Sequence, residues 1–232
     1  MNSTKRFNTK KLVMLALFCA IAYVVMLIIH IKVSFLTFDA KDAVITIAAM
    51  IFGPQWGLII SFTVATIEAI TVSDTAFYGW IMNFASSAVF SVVASSIYRH
   101  YRKIWASVLG LVSAVLAMTA VMLILNLTIT PAFMTQMMGS TITSVDVAKM
   151  IPTLLLPFNL TKAVLNAALV MILYKPISVA LKKARVFPAE ENVSGGYKFS
   201  WRSVTVTLIG VAVIVLSVVV MLVLLDGSFS WT

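Results

Sequence analysis

The sequence predicts an all-α integral membrane protein with seven spans. Of its 232 residues, 61% are hydrophobic and 11% are charged, and the mean hydropathy is +1.05. Soluble domains are about 45–50% apolar and roughly 25% charged. The apolar residues form continuous runs, unlike the alternating strands of a membrane β-barrel. Because lipid offers the backbone no hydrogen-bond partners, such runs must be helical.

A spanning helix requires about 20 mostly apolar residues. The second of the seven apolar runs is much shorter, because it ends at Gly53-Pro54. It is therefore predicted to be tilted and packed inside the protein, or to follow a segment at 38–42 that enters a shielded cavity. The segments 31–42 and 128–149 are long enough to form a lid. The runs cover residues 12–29, 43–52, 58–72, 78–98, 104–127, 150–174 and 204–225.

The charge distribution predicts the orientation of the chain. Thirteen of the 17 basic residues lie before the first run, after the fourth or after the sixth, all on one side of an alternating topology. The positive-inside rule places that side in the cytoplasm, so the N-terminus is cytoplasmic and the C-terminus external. Basic residues between membrane spans also argue against a nucleic-acid partner. The predicted units are a six-span membrane domain (1–183), a cytoplasmic linker (184–203), and an additional transmembrane helix with a short external tail (204–232).

Polar side chains inside apolar runs are costly in lipid, which makes them candidates for function. Lys162 lies three residues after Asn159 and shares its helix face. Four candidates lie at similar predicted depth on four different runs: Glu68, Asn83, Asn126 and Asn159. If these four side chains converge, they form a polar pocket that opens to the outside. The simpler alternative is that the asparagines only hold helices together.

Aromatic side chains cluster toward the same predicted outer side. Trp80, three residues before Asn83, is also counted among the candidate binding residues. The cluster consists of Phe35, Phe38, Phe77, Tyr78, Trp80, Phe84, Phe133 and Phe158. A flat ring ligand stacked between aromatic side chains explains the cluster. An interfacial aromatic belt is the alternative.

Enzyme motifs are missing from the sequence. It contains no phosphate-binding glycine loop, so the chain cannot hydrolyse a nucleotide alone, and no His-Glu-x-x-His or Gly-x-Ser-x-Gly motif. The chain is therefore predicted not to be an enzyme and to need no cofactor of its own.

Seven short motifs resemble the substrate-binding S components of energy-coupling factor (ECF) vitamin transporters, riboflavin-type branch. Gly57 and Lys162 follow two of them at the expected places, and the resemblance covers residues 10–183. The motifs are KLV (11–13), AYVVML (22–27), FLTFD (35–39), IFGP (51–54), MNF (82–84), ILN (124–126) and LPFN (156–159).

The resemblance implies a six-helix S-component bundle, here with one appended C-terminal helix, that binds a vitamin near the outer face. Asp39, which ends the FLTFD motif, joins the candidate binding residues. The resemblance also implies docking to a transmembrane T component through Ala16, Ala20 and Ala22. Two cytoplasmic ATPases would supply the energy, and the S component would topple in the bilayer to deliver its ligand.

Two departures from the riboflavin-type pattern leave the vitamin open. Residues 40–43 read AKDA, and the third run carries Glu68 in the stretch ATIEA (65–69). A carboxylate there suits a protonatable ring nitrogen, which favours vitamin B6 or hydroxymethylpyrimidine as much as riboflavin. The alternative function is a structural or assembly membrane protein without a small-molecule ligand.

Overall fold

The computed structural model describes residues 9–72, 75–183 and 201–224, so most of the predicted linker and the whole external tail lie outside the described residues. Helices dominate, and one short hairpin departs from the all-α prediction. We call the end of the bundle that carries this hairpin the hairpin end. The elements are α1 (Thr9–Ile28), β1 (Ile31–Val33), β2 (Leu36–Phe38), α2 (Lys41–Phe52), α3 (Pro54–Thr71), α4 (Ala76–Tyr101), α5 (Ile104–Met138), α6 (Ser144–Lys149), a π-helical turn (Ile151–Leu155), α7 (Leu156–Lys183) and α8 (Trp201–Leu224).

The hairpin occupies the first predicted lid segment. Its strands pair antiparallel, with Ile31 opposite Phe38 and Val33 opposite Leu36. Ser34, in the turn, adopts a positive φ of 56°. Val33, Leu36 and Phe38 are buried against the start of α7. The hairpin is therefore packed on the bundle through its apolar side chains.

The break between α2 and α3 follows from two residues. Gly53 has φ 120°, a conformation that side chains disfavour, and its N–H donates to Ala49 O at 2.8 Å. Pro54 then occupies the first turn of α3, where a missing N–H costs nothing. The short second helix is thus confirmed, with its end at Phe52.

The second predicted lid segment is mostly helical, because α5 extends well beyond the predicted end of the fifth run at Leu127. Helix α5 continues to Met138 although it contains Pro131, and it ends at Gly139, whose φ is 66°. Only the stretch after Gly139 leaves the helix, before α6. Pro152 lies in the π-helical turn that leads into α7, where the N–H groups of Leu154 and Leu155 both donate to Met150 O.

Helix α2 lies at the centre of the bundle. All of its residues except Ile51 are buried, and it contacts α1, α3, α4 and α7. Helix α8 packs beside α7 at the periphery. Within the described residues, four helical segments are long and apolar enough to cross a membrane: Thr9–Ile28, Phe77–Tyr101, Trp105–Met138 and Ile151–Leu181. The count of six spans plus one stays a prediction.

Candidate functional site

A pocket opens at the hairpin end, between the hairpin, α4, α5 and the start of α7. Its empty volume is about 680 Å³, counting the space open to solvent. Aromatic rings and polar groups share its wall, a combination that suits a planar ligand with polar substituents. The lining residues are Phe35, Leu36, Thr37, Thr75, Tyr78, Gly79, Met82, Asn83, Ser86, Met122, Ile129, Thr130, Phe133, Phe158, Asn159 and Lys162.

Behind this pocket lies a buried ion network. Lys41 Nζ lies 2.6 Å from Glu68 Oε2 and 3.2 Å from Asp39 Oδ2. Lys162 Nζ lies 2.9 Å from the same Asp39 oxygen. All four side chains are at most 5% exposed, so their charges interact with little screening by water.

The network holds two pocket-lining side chains. Asn83 Nδ2 donates to Glu68 Oε1 at 2.9 Å, and Lys162 Nζ also donates to Thr37 O at 3.2 Å. Glu68 and Asp39 themselves are not among the pocket-lining residues. The two acids therefore support the site from behind.

The start of α2 is held by side chains from other helices. Asn166 of α7 accepts the N–H of Ala43 at 2.8 Å through Oδ1 and donates to Asp39 O at 3.1 Å through Nδ2. Asp42 accepts hydrogen bonds from Ser86 and Ser87 of α4. These bonds satisfy polar groups that have no access to water, which fixes the position of the residues around Lys41.

The two remaining predicted asparagines bond to their own helices. Asn159 Nδ2 donates to Leu155 O at 2.7 Å, and the side chain lines the pocket. Asn126 Nδ2 donates to Met122 O at 2.7 Å, while its Oδ1 accepts from Thr130 Oγ1 at 2.9 Å. Thr130 lines the pocket but Asn126 does not, so Asn126 lies one contact behind the wall.

Trp80 lies away from the pocket. Its Nε1 donates to Thr66 Oγ1 of α3 at 3.0 Å, and its ring stacks with Phe77 and Phe84. This stack runs along the α3–α4 contact, where it also meets Phe62 edge-on. The pocket's aromatic groups are instead those of Phe35, Tyr78, Phe133 and Phe158.

The three alanines predicted to form one docking face lie on two sides of α1. Ala16 and Ala20 are exposed, next to exposed Leu17 and Ile21. Ala22 is fully buried in the core because it lies two residues on from Ala20, about 200° around the helix. Ala22 therefore cannot share an exposed face of α1 with Ala16 and Ala20, and the prediction that all three form one docking face is wrong for Ala22.

Lys41 is the site residue that sequence reasoning missed. It lies just before the second apolar run and is not one of the predicted site residues. A cation between Asp39 and Asp42 at the start of a short central helix was the available signal. The described residues contain no group of three His, Cys, Asp or Glu side chains that could hold a metal ion.

Outside the bundle core, α6 carries an exposed ion pair. Hydrogen bonds from Thr143 and Lys149 lower the pKa of Asp146 to about 2, because they stabilise its charged form. The Thr143 and Asp146 side chains together form a capping box at the helix start. This cluster stabilises the start of α6.

Comparison with known proteins matches this architecture to a class of membrane transporters. The family model described as "ECF transporter, substrate-specific component" matches residues 10–174. The chain therefore belongs to that family, which confirms the resemblance seen in the motifs and is a transporter family, not an enzyme family. The family implies partnership with the transmembrane and ATPase components of ECF transporters.

Two particular relatives are informative. The chain is 26% identical to "Riboflavin transporter RibU" of Staphylococcus aureus (strain TCH60), over 79% of this chain and 100% of the relative. It also matches a chain from a structure titled "Structure and mechanism of the S component of a bacterial ECF transporter". That match has 26% identity and a TM-score of 0.62, over 75% of this chain and 98% of the other.

Proposed function

We propose that this protein is the vitamin-binding subunit of an ATP-dependent ECF transporter and that its ligand is riboflavin or a close flavin. The observation that carries the proposal is the pocket at the hairpin end, where four aromatic rings and the polar groups of Asn83, Asn159 and Lys162 share one wall. Similarity to a riboflavin transporter over that relative's whole length supports the same ligand class.

Glu68, the residue that favoured vitamin B6 or hydroxymethylpyrimidine, is not free to bind a ligand. Both carboxylate oxygens of Glu68 are already engaged, one by Lys41 and the other by Asn83. A carboxylate with two internal partners is poorly placed to pair with a ring nitrogen of vitamin B6 or hydroxymethylpyrimidine. These two vitamins remain the second candidates, because Asn83, Asn159 and Lys162 give the pocket wall polar groups that either could use.

Delivery depends on partner proteins. We propose that the chain docks to one T component through the α1 face that includes Ala16 and Ala20, and that two ATPase subunits hydrolyse ATP. The hairpin end faces the outside, because 13 of the 17 basic residues flank the opposite ends of the helices. The N-terminus is then cytoplasmic and the C-terminus external, and toppling of the bundle brings the pocket inward.

Riboflavin titration of the purified protein tests the ligand. Quenching of flavin fluorescence reports binding, and mass spectrometry of the untreated protein identifies any co-purified vitamin. Asn159→Leu and Glu68→Leu should each weaken affinity at least tenfold, or ~1.4 kcal/mol. Leu160→Ala, which alters a neighbouring exposed side chain, should bind normally. Unchanged affinity in both test variants would contradict the pocket assignment.

Bulky substitutions on α1 test the docking face. Ala16→Phe/Ala20→Phe should abolish cellular uptake but leave binding by the purified protein intact. Val112→Phe/Leu116→Phe, at two exposed positions four residues apart on α5, is the matched control. Normal uptake by the alanine variant would exclude this face. A reporter fused after Thr232 should be external, and a cytoplasmic reporter would show that α8 does not cross.

A further inference from the structure

Lys41 is the most deeply buried cation among the described side chains. It is 1% exposed although it is the first residue of α2. A buried ammonium is costly unless it is paired and hydrogen-bonded. Lys41 Nζ meets Glu68 of α3 at 2.6 Å and Asp39 of the preceding loop at 3.2 Å. One cation thus joins two carboxylates from separate parts of the chain.

Each of these carboxylates also accepts a hydrogen bond from a side chain that lines the pocket. Glu68 receives a hydrogen bond from Asn83 of α4, and Asp39 receives one from Lys162 of α7, both at 2.9 Å. Asn83 and Lys162 line the pocket, whereas Lys41 does not. The connected order is Asn83, Glu68, Lys41, Asp39, Lys162.

We propose that Lys41 is a positioning residue that orients two ligand-facing groups, the Asn83 amide and the Lys162 ammonium, without touching the ligand. The inference rests on the proposed function. Without Lys41, Glu68 keeps no ion-pair partner among the described residues, and Asp39 keeps only Lys162. The Glu68 carboxylate is then free to turn away from Asn83, and Asp39, no longer held by Lys41, lets the Lys162 ammonium move.

A double-mutant cycle separates this role from general stabilisation. We would titrate riboflavin into wild type, Lys41→Met, Asn83→Ala and the double variant. Asn83→Ala should weaken affinity about tenfold in wild type and less than about threefold in the Lys41→Met background, because Asn83 is no longer held there. A purely structural role gives equal losses in both backgrounds. Lys149→Met removes the exposed lysine beside Asp146 and should leave affinity unchanged.

A second variant covers the case in which Lys41→Met fails to fold. Lys41→Met/Glu68→Leu removes one charge of each sign, and replacing a buried ion pair in this way is often tolerated. This variant should fold, as judged by its melting temperature, and bind riboflavin at least threefold more weakly than Glu68→Leu alone, because Asp39 and Lys162 also lose the support of Lys41. Affinity equal to that of Glu68→Leu in the folded variant, or equal losses in the cycle, overturns the role of Lys41.

The proposed function fails in a distinguishable way. Wild-type protein that does not bind riboflavin overturns the flavin proposal, and the same variants are then titrated with pyridoxine and hydroxymethylpyrimidine. Wild-type protein that binds none of the three overturns the vitamin-binding function and the role of Lys41 together.

Discussion

Helices α2 and α8 differ in how deeply they are buried, and the difference is the reverse of what their hydrophobicity suggests. Helix α2 has 12 residues and begins with Lys41 and Asp42, yet 11 of its residues are buried. Helix α8 has 24 residues from the most uniformly apolar stretch of the chain, yet it lies at the periphery with Leu208 and Leu216 more than 60% exposed. The charged helix is central and the apolar helix is outside.

The difference follows from the solvent. Lipid tails are as apolar as leucine, so burying an apolar helix in protein gains little over leaving it in the bilayer. A charged or amide side chain has no partner in lipid and must find one in protein. In this protein, polar residues in a helix therefore indicate that the helix is central, whereas an apolar helix can also lie at the lipid-facing periphery.

Removal of the Asp39 charge, just before α2, should cause the largest loss of stability. Asp39→Leu takes away a partner from both Lys41 and Lys162, which leaves the buried Lys162 without an ion-pair partner among the described residues. Loss of one partner from a buried ion pair costs about 3–5 kcal/mol of unfolding free energy. Thermal unfolding in detergent measures it, and riboflavin binding should be lost as well. Lys149→Leu, at an exposed ion pair, is the control. Equal melting temperatures for the two variants would contradict the ranking.

Two glycine-to-alanine substitutions compare how tightly α2 and α8 are packed. Gly57 of α3 faces α2, and Gly210 lies in α8. A Cβ at Gly57 would lie 2.6 Å from Ala49 Cβ of α2 and 3.1 Å from Ser91 Oγ. Ala49 cannot yield without moving its helix, so Gly57→Ala should lower the unfolding free energy by about 1–3 kcal/mol.

The matched substitution on α8 should cost less. A Cβ at Gly210 would lie 2.8 Å from Ile172 Cγ1 of α7, and α8, which lies at the periphery, can move outward to relieve that contact. Parallel thermal unfolding of Gly210→Ala and Gly57→Ala measures the order. A larger loss for Gly210→Ala would mean that the α7–α8 contact is as rigid as the centre.

Deletion of α8 should have the smallest effect on binding. None of the described pocket-lining residues or members of the ion network belongs to α8. A chain that ends at Lys183 should therefore bind riboflavin within about twofold of wild type, or ~0.4 kcal/mol. Fluorescence titration of both proteins measures it, and a tenfold loss in a folded truncated chain would give α8 a role in the site.

Much of this organisation was predictable from particular residues. Gly53-Pro54 predicted the end of the short helix, and apolar runs predicted the other helices to within a few residues at most ends. Asn83, Asn159 and Lys162 were predicted for the site and line the pocket. Trp80 was predicted for the site and stacks elsewhere, because a tryptophan near a helix end satisfies a ligand, a lipid interface or a neighbouring helix equally well.

By itself, the sequence determined the membrane class, the helical runs, the charge asymmetry and the family, because each depends on local composition or motif order. Only the tertiary structure decided that Lys41 is internal, that Glu68 supports Asn83, and that Ala22 faces the core. Those outcomes depend on which neighbouring helix supplies a partner. In lipid a polar side chain goes where its partner is, and that partner lies 27 residues away for the Lys41–Glu68 pair and 123 residues away for the Asp39–Lys162 pair.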